Sequence, residues 1–89
     1  MTLYPQILCQ VKESCANYRS RTIGIEQLQS IIWNAAEQIV AREEKELRRS
    51  LQNAESKLEL FRFTVDSEQV YEQSLMVVAE IERQVKEWE

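Results

Sequence analysis

Apolar residues along the chain recur at the three- and four-residue steps of a helical face. Tyr4, Ile7, Leu8, Val11, Cys15 and Tyr18 predict a first helix over about residues 3–19. Pro5 suits its first turn, where a missing N–H does no harm. The polar run Arg19-Ser20-Arg21-Thr22 ends it. A second start follows at Gly24. As N-cap it would leave Ile23 and Leu28 at the positions of a hydrophobic staple, with Glu26 in the first turn where the helix dipole favours an acid. Thr22 is an alternative cap slightly upstream.

From Ile25 the stripe runs on without a breaker to about Phe63. Leu28, Ile32, Ala35, Ala36 and Ile39 form its first half; Leu47, Ala54, Leu58 and Phe61 form its second, with Leu51 at its edge. Residues 41–46 between them hold no Gly, Pro, Asn, Asp or Ser, and the two halves are out of phase by only about 60–70°. Arg42–Glu46 and Glu44–Arg48 have the spacing of helix-bracing ion pairs. One helix over 25–63 is therefore expected, about 58 Å long. The last segment opens with Asp66 as a candidate N-cap, Gln69 at the third helical position and a Val65/Val70 staple. Val70, Val77, Val78, Ile81, Val85 and Trp88 then share a face over about 66–88, with Glu82–Lys86 and Arg83–Glu87 bracing the outside. The strand-like stretch Phe61-Arg62-Phe63-Thr64-Val65 has no partner strand and reads as a helix end packing into the turn.

The pattern predicts an all-α fold: antiparallel helical hairpins built on one long central helix, in a single domain over residues 1–89. The alternative is a compact four-helix bundle if the helix breaks near 41–46. Glu43 falls on the stripe, and helices beyond about 25 residues are uncommon. A continuous central helix would leave each half as a two-helix hairpin with an open apolar groove. A second copy would close both grooves, so a homodimer is expected.

Composition agrees with the class. The 89 residues include one Gly and one Pro, far below the use that turn-rich β folds make of them. No His is present, which removes His-based metal sites and triads, and a single Gly cannot build a phosphate-cradling loop. The two cysteines, Cys9 and Cys15, lie six apart on one helix, about 9 Å at the standard rise and on different faces, which disfavours a bridge between them. Free thiols suit a reducing, cytoplasmic setting. The longest apolar run, Leu75–Ala79, is far short of a membrane span, and no basic leader precedes the first helix.

The net charge is −4, unevenly placed. Residues 1–40 balance, residues 41–65 carry one excess positive charge, and residues 66–89 carry an excess of five negatives. Arg42, Lys45, Arg48 and Arg49 are interleaved with Glu43, Glu44 and Glu46, which suits a solvated face better than phosphate binding. The Glu55/Glu59 and Glu68/Glu72 pairs lack the Glu-x-x-His partner of a bundle iron site. No catalytic residue, cofactor or metal ligand is expected, nor a nucleic-acid or membrane partner.

The function expected is non-enzymatic: self-association and protein–protein binding, in the manner of an acidic inhibitor or immunity-type protein or an adaptor. The candidate contact residues are Trp33, Leu51, Tyr71 and Leu75 along the groove edge. An acidic partner face would comprise Glu68, Glu72, Glu80, Glu82 and Glu87, selecting a basic surface. The alternative is an enzyme accessory or ligand-carrying bundle, with an apolar pocket where Ala35, Ala36 and Ser74 meet.

Overall fold

The first helix starts where a missing amide costs nothing. The computed structural model describes residues 2–88, and in it α1 (Pro5–Arg19) has Pro5 at its first position. It ends in a Schellman turn. The Thr22 N–H donates to the Asn17 carbonyl at 2.8 Å and the Arg21 N–H to the Tyr18 carbonyl at 3.0 Å. Arg21 takes the left-handed position, at φ 62°, that usually falls to Gly. Its guanidinium lies 4.2 Å from the centroid of the Tyr71 ring, a cation–π contact that offsets part of that strain.

α2 (Ile25–Gln38) begins as expected at Gly24, whose N–H donates to the Gln27 side chain at 3.2 Å. Ile23 packs against the core and Leu28 is fully buried within it. α3 (Lys45–Thr64) and α4 (Ser67–Trp88) are joined by Val65 and Asp66 alone. The Asp66 carbonyl accepts the Gln69 and Val70 N–H groups, so α4 starts at the expected boundary.

The expected helix over 25–63 does not form. It breaks after Gln38, and a single 3-10 turn, Arg42–Glu44, leads into α3. Ile39 (φ −87°, ψ 93°) and Ala41 (φ −67°, ψ 132°) are extended. Locally only Glu43 on the stripe and the length of the helix argue for a break; distant hydrogen bonds decide it. The Tyr4 hydroxyl accepts the Val40 and Ala41 N–H groups at 3.2 and 2.9 Å, amides that a helix would otherwise have satisfied. The Glu44 carboxylate, 1% exposed, accepts the Leu3 N–H at 2.8 Å and the Thr2 hydroxyl. The Tyr4 N–H in turn donates to Thr2 Oγ1 at 3.0 Å. A folded-back chain also buries the whole stripe against its own helices.

The alternative architecture is therefore the one adopted: four antiparallel helices, each packed on the next, with α4 closing the ring against α1. The longest dimension is 38 Å, well short of the ~58 Å of a continuous 25–63 helix. Every helix feeds one core, from Leu8, Val11 and Cys15 through Ile32, Ala36 and Ile39, Leu47 and Leu58, to Val78 and Val85. The expected i,i+4 ion pairs are absent among the described residues. The ion pairs described there link different helices: Arg19–Glu82 at 2.5 Å, Lys57–Glu80 at 3.3 Å and Arg62–Glu26 at 2.9 Å. Glu44 is turned toward residues 2–3, which leaves the Arg48 Nε buried without a partner.

Two buried positions should respond in opposite directions. Leu51→Ala, in the packed core, is expected to lower unfolding free energy by about 2–5 kcal/mol in urea titration. The Ser74 hydroxyl is buried with no hydrogen-bond partner, so Ser74→Ala should raise stability by about 1 kcal/mol.

Candidate functional site

Gln29 is the one long polar side chain on the inner half of α2, and the bundle buries it to 6% exposure. A buried amide needs partners on both ends. Its Nε2 donates to Glu55 Oε1 on α3 at 3.2 Å, and its Oε1 accepts from Arg62 Nη1 at 2.9 Å. Arg62 Nη2 reaches back to Glu26 Oε1 at 2.9 Å. The four side chains stitch α2 to α3 along one seam. The Glu26–Arg62 pair sits at the solvent edge and contributes little stability alone. Its effect is geometric, since it fixes the guanidinium against Gln29.

Above this seam opens a cleft of about 470 Å3, lined by Glu26, Gln29, Ser30, Trp33, Asn34, Glu55, Glu59 and Arg62. Trp33 lies one turn beyond Gln29 and keeps 45% of its surface exposed. Its place about 100° from the centre of the apolar stripe puts it at the flank, as the spacing predicts. The cleft carries three carboxylates and one guanidinium. Arg62 is engaged by Glu26 and Gln29, so Glu55 and Glu59 leave the site acidic beside an aromatic wall.

The other expected contact residues lie elsewhere. Leu51 is 1% exposed, part of the core rather than a groove edge, because the closed ring seals the groove that the long helix would have left open. Tyr71 belongs to the seam between α1 and α4. Its ring lies 5.4 Å from that of Tyr18, and its hydroxyl donates to the Arg19 carbonyl. Leu75, one turn on, is half-buried against the core. Trp33 is thus separated from Tyr71 and Leu75 by the width of the bundle. Trp88 packs on the core from the end of α4.

The expected acidic face is divided as well. Glu82 accepts a forked pair of bonds from Arg19, which holds that guanidinium more firmly protonated than usual. Glu80 receives Lys57. Glu68, Glu72 and Glu87 remain exposed with no ion pair among the described residues. In the sequence Gln29 carries little signal, because a glutamine at a stripe edge looks like any surface residue. Its only signal was its position one turn before Trp33.

Ala35, Ala36 and Ser74 lie in the packed interior and line none of the surface clefts described. The groove between α3 and α4, around Leu51, Ala54, Ile81 and Gln84, holds only about 120 Å3, against the ~300–1,000 Å3 of typical small-molecule sites. Among the described residues no group of three His, Cys, Asp or Glu could hold a metal ion, and no helix is long and apolar enough to cross a membrane. No family model, no curated protein and no solved structure matches the chain.

Both cysteines are free, Cys9 exposed and Cys15 buried. Burial pushes the Cys15 thiol up to about 12, with the Glu82 carboxylate adding to the rise. A thiol-specific chromophore at pH 8 should therefore titrate one cysteine per chain quickly and the second only on unfolding. Cys9→Ser should abolish the fast phase. The folded-state value lies above the ordinary 9.0, so the stability drawn from a neutral Cys15 is complete below pH 9 and is lost as pH climbs toward 12.

Proposed function

We propose that the chain acts by binding another protein, without catalysis, and that the α2/α3 cleft is its docking surface for a Lys- or Arg-bearing segment. One observation carries this reading: Trp33 stands half-exposed in the same cleft as Glu55 and Glu59, one turn beyond the buried Gln29 that hydrogen-bonds Glu55. A pre-positioned aromatic anchor loses little freedom on binding, and such anchors dominate interface energies. An incoming cation would meet the indole face and two carboxylates together. The exposed acids of α4, Glu68, Glu72 and Glu87, supply a negative field that speeds encounter with a basic partner. An acidic inhibitor, immunity-type protein or adaptor fits this arrangement. Self-association enters only through reopening of the sealed stripe, because the closed ring already covers the grooves that would call for a second copy.

The test is a pull-down at low salt with the wild-type chain and two cleft variants, Trp33→Ala and Glu59→Lys. Both residues are exposed, so circular dichroism should show an unchanged fold. Each variant is expected to weaken capture of a co-purifying partner by about tenfold or more. Undiminished capture by both, together with loss on charge reversal of Glu68, Glu72 and Glu87, would move the site to α4 and overturn the proposal.

A further inference from the structure

We propose that residues 39–44 form a hinge through which two copies of this chain exchange helical hairpins. In the closed monomer, the α1–α2 hairpin packs on the α3–α4 hairpin across the α2/α3 and α4/α1 seams. If the corner straightens, α2 and α3 become one helix, and each hairpin must find its complement on a second copy. Every contact of those seams, including Gln29–Glu55, Arg62–Glu26, Arg19–Glu82 and Tyr71–Arg19, would then re-form between copies unchanged. The balance between monomer and exchanged dimer is thus decided by the six corner residues and what grips them.

Those residues favour the straight form. Ile39-Val40-Ala41-Arg42-Glu43-Glu44 contains no Gly, Pro, Asn, Asp or Ser, and Ala, Arg and Glu are strong helix formers. Ile39 and Leu47 are eight residues apart, about 80° around a continuous helix, so the apolar stripe passes through without a reversal. The grip on the bent form comes from far away in sequence: the Tyr4 hydroxyl on two amides, and the Glu44 carboxylate on residues 2 and 3. Straightening would hand the Val40 and Ala41 amides to helical carbonyls. Val40, 73% exposed in the bent form, has no packing there to lose. The geometry is that of a bent helix clamped from outside.

Tyr4→Phe removes the clamp on both amides while keeping the ring. It should strengthen dimerisation about a hundredfold in sedimentation equilibrium, roughly tenfold for each of the two corners released per dimer. Helix content by circular dichroism should rise, as the non-helical residues 39–41 become helical and the 3-10 turn 42–44 becomes α-helix. Glu43→Leu provides an independent route. Glu43 is exposed and without an ion pair among the described residues, yet stands one turn beyond Ile39 on the joined stripe. It too should dimerise with a gain in helix. Ala41→Pro closes the argument: φ −67° at Ala41 suits proline in the bent form, where the substitution gives up one N–H bond to Tyr4 that Tyr4→Phe has already removed, whereas a continuous helix excludes proline by a larger margin. Both Tyr4→Phe/Ala41→Pro and Glu43→Leu/Ala41→Pro should return to monomer. If both single variants stay monomeric, if they dimerise without added helix, or if the proline leaves the dimers intact, hairpin exchange is wrong.

Discussion

The fold depends on a few hydrogen bonds that residues 2–4 make to the corner between α2 and α3. One tyrosine hydroxyl takes two amides, and one buried carboxylate takes a hydroxyl and an amide. Each such bond contributes only about 1 kcal/mol net, yet the alternative is costly, since a bent corner with unpaired buried groups would lose the same bonds and their desolvation besides. These contacts turn a stripe long enough to need a second chain into two helices that cover one another. The cleft follows from that fold, because α2 and α3 can face each other across Gln29 only when the corner is bent.

Much of the architecture was legible in the sequence. The limits of α1, the Gly24 start and the Asp66 boundary all rest on neighbouring residues: a proline at a first position, a cap, a polar run. Trp33 was placed at a helix flank by its angle alone. The break at 39–44 is legible only as the alternative, from Glu43 on the stripe and the length of the helix, because the residues there prefer helix and the contacts that override them come from 36 to 42 positions away. Leu51 lies inside rather than at a groove edge for the same reason. Its pattern correctly marked an apolar face, and only the closure of the ring decided that the face is interior.

The ion pairs show a further limit. Spacing along one helix predicts braces on its surface, but the ion pairs described here run between helices, where the antiparallel packing brings Arg19, Lys57 and Arg62 to Glu82, Glu80 and Glu26. The acidic surplus of the last segment is consequently smaller in effect than its count, with two of its carboxylates already neutralised by neighbouring helices. Charge on the α2/α3 side is fewer in number but better aimed, because Glu55 is oriented by Gln29 and stands beside an indole.

Two tyrosines tie the bundle, one at each end. Tyr4 accepts amides of the α2–α3 corner, and Tyr71 donates to a carbonyl of the α1–α2 turn. Both hold main-chain groups rather than side chains. The Val40–Ala41 end of the corner is therefore held without reference to its own side chains, while Glu44 holds the other end through its buried carboxylate. Substitutions at Val40 that keep an N–H leave the tie in place, so the side chain at position 40 is free to vary while the bend persists, its shape set by a tyrosine 36 positions away.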